Sequence, residues 1–336
     1  MKNRPYFIAE IGVNHEAKIS LAKKIILDAK QGGAHAVKLQ SYKAEKLASK
    51  YAKAYWDKKE EKEENQLKLY KRFDGFNDKD YLHLIRYCKK IKIDFIITPF
   101  DTDSINFFKD KVKFFKISSS DITNYPLIEK IAATKKPIIL STGASTMKEI
   151  DAAFNLIKKK NKNISLLHCI LNYPTKRHNA NLNMIECLKN FNVPIGISDH
   201  TLAKDSHDIL VYAYLKGVKI IEKHFTNDKS KPGNDHFHSF NKQDLIIYNK
   251  KIDDLNKILG SKKKSFLKSE IISRKNARRG LFYNKNLKKG HKIRSVDLIA
   301  LRPNIGISPE NYKKILGKKL KFDKKKGQII TYGDYI

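Results

Sequence analysis

The chain has 336 residues, enough for a large core plus a second, smaller unit, and its three cysteines (Cys88, Cys169, Cys187) form neither a CxxC pair nor an even-numbered framework. That excludes a disulfide scaffold and a structural zinc module, fits a reducing cytoplasm, and goes with the lack of any apolar stretch near the ~18 residues of a membrane span. A formal net charge of +34 taken alone suggests nucleic acid, but the lysines fall in short runs (158–160, 262–264, 324–326) without interleaved aromatics. They describe a solvated face that draws small anions inward rather than a surface for stacking bases.

From the N-terminus, short β-branched or aromatic runs alternate with helical patterns at intervals of about 25 to 35 residues, the rhythm of βα units. The runs are YFIAEIG (6–12), AVKLQ (36–40), FIITPF (95–100), FFKIS (114–118), PIILSTG (137–143), SLLHCI (165–170), PIGIS (194–198) and KIIEKHF (219–225). Between them, 20–31 carries Leu21, Ile25, Ile26 and Ala29 at helical spacing, and 147–157 carries Ile150, Ala153, Phe154 and Ile157. The insertion 41–80, with its mixed charge run KKEEKEEN (58–65), reads as a solvated helix outside any site.

Eight such units predict an α/β fold, a TIM (β/α)8 barrel over 1–259, whose active site sits at the C-terminal ends of the strands. Polar residues collect there: Glu10 and Asn14, Lys38 and Gln40, Thr98, Lys116 and Ser119, Ser141, Asn172 and Tyr173, Ser198 with Asp199 and His200, and Glu222 with His224. Each alone reads as a cap or turn residue. Their recurrence at one strand position predicts a shared polar mouth.

After a last helix near 243–259, a polar linker (260–275) opens with GSKKKSF, and a small β-rich unit follows over 276–336. That unit contains an echo: KKGHKIRSVDLI (288–299) and KKGQIITYGDYI (325–336) share Lys-Lys-Gly, Ile, Asp and a final Ile at matching offsets.

His200 and His224, at neighbouring strand ends, can ligate one divalent cation through neutral imidazoles. No HExxH and no third histidine in register is present, and a site with so few protein ligands suits Mn²⁺, Mg²⁺ or Co²⁺ as a Lewis acid. His15, His236 and His238 are candidates for nearby roles. Lys38 and Lys116, with hydroxyls at Ser119, Ser141 and Ser198, make a phosphate or carboxylate site without a glycine-rich loop. A strand-end lysine also admits Schiff-base chemistry in a metal-free aldolase.

Taken in order, AEIGVNH (9–15), VKLQSYKAEKLAS (37–49), TPFDTDS (98–104), KISSSDITNYPL (116–127), LSTGAS (140–145), NYPT (172–175), GISDHT (196–201), IEKHFT (221–226), PGNDH (232–236) and RPNIGISP (302–309) resemble the bacterial sialic acid synthases, N-acetylneuraminate synthase and its legionaminic and pseudaminic acid relatives. The resemblance implies a TIM barrel followed by an antifreeze-like SAF domain, in a homodimer whose arms exchange. It implies condensation of phosphoenolpyruvate with an N-acylated hexose, N-acetylmannosamine first and a legionaminic-type acceptor as the alternative, giving a nine-carbon 2-keto acid and phosphate by C–O cleavage. Its metal ligands, with Mn²⁺ foremost, map onto His200 and His224. Its phosphoenolpyruvate contacts map onto Lys38, Thr98, Lys116, Ser119, Ser141 and Ser198. Its sugar contacts map onto Tyr173, Asp235 and Arg302, with Glu10, Gln40 and Glu222 near the reacting centre. Three departures stand out: Ser-Ser-Ser-Asp (118–121) where many relatives have Gly-Ser-Gly-Glu, Leu171 where some place a phosphate-binding Asn, and RPNIG in the arm.

Overall fold

The computed structural model describes residues 4–233 and 235–336. Strands β1 (Tyr6–Glu10), β2 (Ala36–Ser41), β3 (Asp94–Pro99) and β4 (Phe114–Ile117) pair in parallel, each with the next. They continue through β5 (Ile138–Ser141), β6 (Ile164–Cys169), β7 (Ile195–Asp199) and β8 (Ile220–His224), and β8 closes on β1. This is the barrel that the eight runs predict. The helix Ile19–Gly32 buries Ala22, Ile25, Ile26 and Ala29 along one stripe and stops where Gly33 turns left-handed at φ 96°. The helix Met147–Lys158 starts at a capping box, Thr146 taking the N–H of Glu149 while the Glu149 carboxylate takes that of Thr146. No helix among the described residues is long and apolar enough to cross a membrane.

Side chains alternate along each strand, and the alternation decides where the site lies. Phe7, Ala9, Val37, Leu39, Phe95 and Ile97 face outward into the large core beneath the helices. Ile8, Ala36, Ile96, Ile139 and Leu167 form a smaller inward cluster, with Tyr6, Phe114 and Ile220 against it. One step further along the same inward rows stand Glu10, Lys38, Thr98, Lys116, Ser141, Glu222 and His224, all buried. The barrel is therefore apolar at its floor and ionic at its C-terminal mouth. At Gly196 a Cβ would stand 2.4 Å from both the Ile220 carbonyl oxygen and Leu167 Cδ2, so only glycine lets β7 lie this close to its neighbours.

Lys223 belongs to the outward row. It is fully buried, and its ammonium pairs with Asp199 Oδ2 at 2.9 Å and also reaches the Thr201 carbonyl. Asp199 is further held by the hydroxyls of Thr201 and Ser206. Asp199, expected at the mouth, instead points away from it and clamps the end of β7 to β8. Breaking one partner of such a buried pair strands the other charge, which costs about 3–5 kcal/mol.

The chain divides into two compact units between Leu259 and Gly260. In the second, residues expected as linker include a short helix, Ile271–Ala277, with no buried side chain. Strands β9 (Gly280–Tyr283) and β10 (Leu298–Leu301) pair antiparallel, Tyr283 opposite Leu298. The sequence echo becomes an internal two-fold. Leu287 and Lys324, equivalent positions just before each Lys-Lys-Gly, exchange both backbone hydrogen bonds at 2.8 Å, and Leu320 faces Tyr335 as Tyr283 faces Leu298. Leu281, Tyr283, Ile293, Ile307, Ile315 and Ile330 fill the small core.

Candidate active site

The strand ends enclose a cavity of about 380 Å³ whose wall includes every residue that the resemblance assigns to metal, phosphoenolpyruvate, sugar or reacting centre except Arg302, while Asn14, His15, Asn172, Asp199, His236 and His238 lie outside its lining. Arg302 lies in the second unit, exposed. Two buried lysines line the cavity. Lys38 Nζ donates to Thr98 Oγ1 at 2.9 Å and pairs with Glu10, which in turn accepts from Gln40 Nε2 at 3.1 Å. Lys116 Nζ lies 3.7 Å from Glu222 Oε1, and Ser198 Oγ donates to that same oxygen at 3.0 Å. Ser119 Oγ accepts the Gly143 N–H at 2.9 Å, while the buried Ser141 hydroxyl has no partner among the described residues.

Burial pulls the Lys38 ammonium down, but Glu10 and Glu222 outweigh it and leave its pKa raised. For Lys116 burial wins over the pull of Glu222, and its pKa is lowered. Burial pushes Glu222 up, yet Lys116 and Lys38 hold it below the usual value, so it stays ionised. Glu222 Oε2 lacks a hydrogen bond among the described residues, whereas Glu10 Oε2 is held by the Lys38 ammonium. A buried oxygen left without one is uncommon and marks a surface built to meet a ligand.

The imidazoles of His200 and His224 line the same cavity. His200 Nδ1 donates to the Ile170 carbonyl at 2.8 Å, which fixes the tautomer and leaves Nε2 with its lone pair free. Burial, with His224 nearby, lowers the His200 pKa to about 3, so the ring is neutral at physiological pH. His224 Nδ1 is 3.1 Å from Asp235 Oδ2, but off the line of a hydrogen bond, and it counts among the buried atoms without one. His224, Asp235 and His238 offer donor atoms that all lie within 4.8 Å of one another, a group that could hold a metal ion. The rings of His200 and His224 are 5.3 Å apart. The donor set, two imidazoles and a carboxylate with neutral His200 beside them, fits a divalent cation.

Two functional features go beyond the sequence reading. His238, singled out only for a nearby role, is a third histidine in this cluster, carried in by the loop after β8 rather than by a strand. The insertion also contributes: Leu47, Tyr55, Trp56, Leu69, Tyr70 and Phe73 line the cavity, and the run 58–65 is a turn and extended chain rather than a helix. Glu61 within it is buried and pairs with Arg72 at 2.6 Å. Aromatic residues flanking a charge run were the available signal. Asp121 and Leu171, two of the departures from the family pattern, also line the cavity, and burial raises the Asp121 pKa.

The sequence matches the model of the NeuB family over residues 25–264 and that of the SAF domain over 278–336. The chain belongs to the NeuB family. Among its NeuB-family relatives, N,N'-diacetyllegionaminic acid synthase of Campylobacter jejuni is 38% identical, covering 93% of this chain and 94% of that one. The same-named enzyme of Legionella pneumophila is 36% identical over 97% of this chain and 93% of that one. A solved N-acetylneuraminic acid (sialic acid) synthetase from Leptospira borgpetersenii, in complex with citrate, superposes with TM-score 0.70 at 34% identity, covering 81% of this chain and 90% of that one.

Proposed function

We propose that this NeuB-family protein condenses phosphoenolpyruvate with the open-chain aldehyde of an N-acylated hexose, forming a nonulosonic acid and releasing phosphate. The observation that carries this reading is one cavity of about 380 Å³ lined by both a lysine–hydroxyl set and a His/Asp cluster. The first suits a doubly anionic enol phosphate and the second an electrophilic carbonyl. A divalent cation, Mn²⁺ foremost, held by His200 and His224 supplies Lewis-acid polarisation of the aldehyde. Lys38 and Lys116 bind the carboxylate and phosphate, with Thr98, Ser119, Ser141 and Ser198 giving direction through hydroxyls. C3 of phosphoenolpyruvate forms the new carbon–carbon bond, leaving an alkoxide on the former aldehyde carbon and a cation at C2. Water adds to C2, and Glu222 or Glu10 takes one of its protons and passes it to the alkoxide. Collapse of that tetrahedral centre breaks the C2–O bond and expels phosphate, which takes the C2 hydroxyl proton, Gln40 keeping Glu10 in place.

For the acceptor, the relatives lean toward a diacetylated, legionaminic-type sugar rather than the N-acetylmannosamine expected from the motifs. The aromatic and aliphatic wall of Tyr55, Trp56, Leu69 and Tyr70 supports this, because a second acetamido group and a deoxygenated carbon need apolar surface. Incubating the protein with phosphoenolpyruvate, Mn²⁺ and a panel of N-acylated hexoses, and weighing the products by mass spectrometry, is expected to give the largest turnover with the diacetylated acceptor. Preference for N-acetylmannosamine would restore the first expectation.

Tyr173 and Asp235, both on the cavity wall, are the sugar contacts of this reading. Arg302 joins them from a partner subunit. Its side chain is exposed, without an ion pair among the described residues, and the joining segment exposes Phe266, Leu267, Ile271 and Ile272, apolar surface that a second chain would cover. Mixing Arg302→Ala with His200→Ala protein under subunit exchange is expected to recover activity that each parent lacks. No recovery despite verified exchange assigns Arg302 to its own chain or to no site.

A further inference from the structure

We propose that His238 is a direct ligand of the site's divalent cation, completing a His224–Asp235–His238 donor set beyond the two-histidine pair of His200 and His224. The inference rests on the reading of the site as metal-dependent and adds to it a residue and a consequence for metal choice.

The first ground is hydrogen bonding. His238 is fully buried, and neither ring nitrogen has a hydrogen-bond partner among the described residues. Three buried histidines away from the cluster are satisfied: His168 Nε2 meets the Ala180 carbonyl at 2.8 Å, His15 Nδ1 accepts the Ala17 N–H at 3.1 Å, and His236 Nδ1 meets Thr226 Oγ1 at 2.8 Å. A core imidazole with both nitrogens idle has no structural reason to be an imidazole. His238 packs against Tyr173 and His224, its ring 5.7 Å and 4.9 Å from theirs, which phenylalanine would do as well without burying two polar atoms.

Placement is the second ground. The loop that carries His238 leaves β8 and returns to it: the Phe240 N–H bonds the His224 carbonyl, and the Thr226 N–H bonds the Phe240 carbonyl, both at 2.8 Å. Ser239 Oγ closes the interior by donating to the Asp235 carbonyl at 2.5 Å, and Asn14 Nδ2 reaches both Ser239 Oγ and the Phe225 carbonyl at 3.1 Å. These bonds fix the backbone around Asp235 and His238 against the end of β8. His236 is turned aside to Thr226, while Asp235 and His238 bring their donors within 4.8 Å of each other and of His224. An ion with ordinary bond lengths of about 2.0–2.2 Å draws its donors to about 3–3.5 Å from one another, a closure that side-chain rotation alone supplies.

The chemistry follows from the donors. With His200 the donors are three imidazoles and one carboxylate, which favour a borderline cation (Mn²⁺, Co²⁺ or Zn²⁺) over Mg²⁺ and leave positions for substrate oxygens. Four protein donors also retain the ion without substrate, which a two-histidine site does poorly.

The test uses metal-free full-length protein and Mn²⁺ alone, without substrates. Mn²⁺ binding is titrated by the electron paramagnetic resonance signal of the free ion, and pulsed measurements on the bound ion count imidazole nitrogens. His238→Ala, and His238→Gln as the variant that best preserves packing, are expected to weaken Mn²⁺ binding at least tenfold. Both are expected to show one imidazole fewer than wild type, with apo-protein circular dichroism unchanged. Weaker binding with the nitrogen count unchanged would make His238 a positioning residue and overturn the proposal. Wild-type affinity in both variants would overturn it while leaving the metal-dependent reading intact. A wild-type protein that takes up no Mn²⁺ would overturn both.

Discussion

Alanine at His224 is expected to lower kcat/KM by about three orders of magnitude, or about 4 kcal/mol of transition-state stabilisation. His224 ends β8 directly opposite Glu10 in the β1 register, within 4.8 Å of both other donors of the metal group, and Asp235 lies 3.1 Å from its Nδ1. Its removal takes away the donor common to both pairings. A Lewis acid is worth several kcal/mol at a carbonyl, and the two lysines, already engaged with Glu10 and Glu222, do not replace it. Steady-state kinetics of His224→Ala, with and without added Mn²⁺, measures the effect, and EDTA is expected to bring wild type to the same low rate. The Schiff-base alternative expects the reverse: EDTA without effect, and borohydride trapping a substrate adduct on Lys38 or Lys116.

Lys116→Met is expected to raise KM for phosphoenolpyruvate about a hundredfold, near ~3 kcal/mol, while the melting temperature holds or rises. The two halves of this expectation share one cause. Lys116 is buried beside Glu222, and burial lowers its pKa below the ordinary lysine value. The folded chain therefore binds that proton less tightly than the unfolded chain does, so the buried ammonium weighs against folding below its folded pKa, and stability rises as pH climbs toward the unfolded value. Methionine removes that burden, and Glu222 retains Ser198 and the field of Lys38. What is lost is a positive charge poised for an anion. In wild type, KM for phosphoenolpyruvate should climb on the alkaline side as Lys116 loses its proton, and this limb should be missing in Lys116→Met. Flat alkaline behaviour in both proteins would remove Lys116 from the anion site.

The barrel was legible because its rows alternate with period two and change from apolar to ionic at one height. Ile8 then Glu10, Ala36 then Lys38, Ile96 then Thr98 and Ile220 then Glu222 announce a filled floor and a reactive mouth without any distance being known. Asp199 and Lys223 were harder. Each neighbours a mouth residue in sequence, and only register shows that the odd step turns them outward to clamp β7 to β8. His238 was hidden for a different reason. Loop residues have no period, and its approach to His224 depends on backbone bonds from Phe240 that no spacing rule encodes. The aromatic wall was masked by its own composition, because the charges of 58–65 drew attention from Tyr55, Trp56 and Tyr70 on either side. In the second unit the repeated Lys-Lys-Gly gave the internal two-fold directly, since equivalent residues Leu287 and Lys324 meet on its axis.

The central claim is that one cavity joins phosphoenolpyruvate to an aldehyde sugar and expels phosphate from C2. Phosphoenolpyruvate labelled with ¹⁸O in the bridging C2–O–P position, turned over with the best acceptor and Mn²⁺, tests it most directly by mass spectrometry of both products. The account predicts a nine-carbon 2-keto acid free of label and phosphate carrying all of it. Label retained in the keto acid would mean P–O cleavage, and phosphate without any keto sugar acid would mean simple hydrolysis; either result would contradict the account.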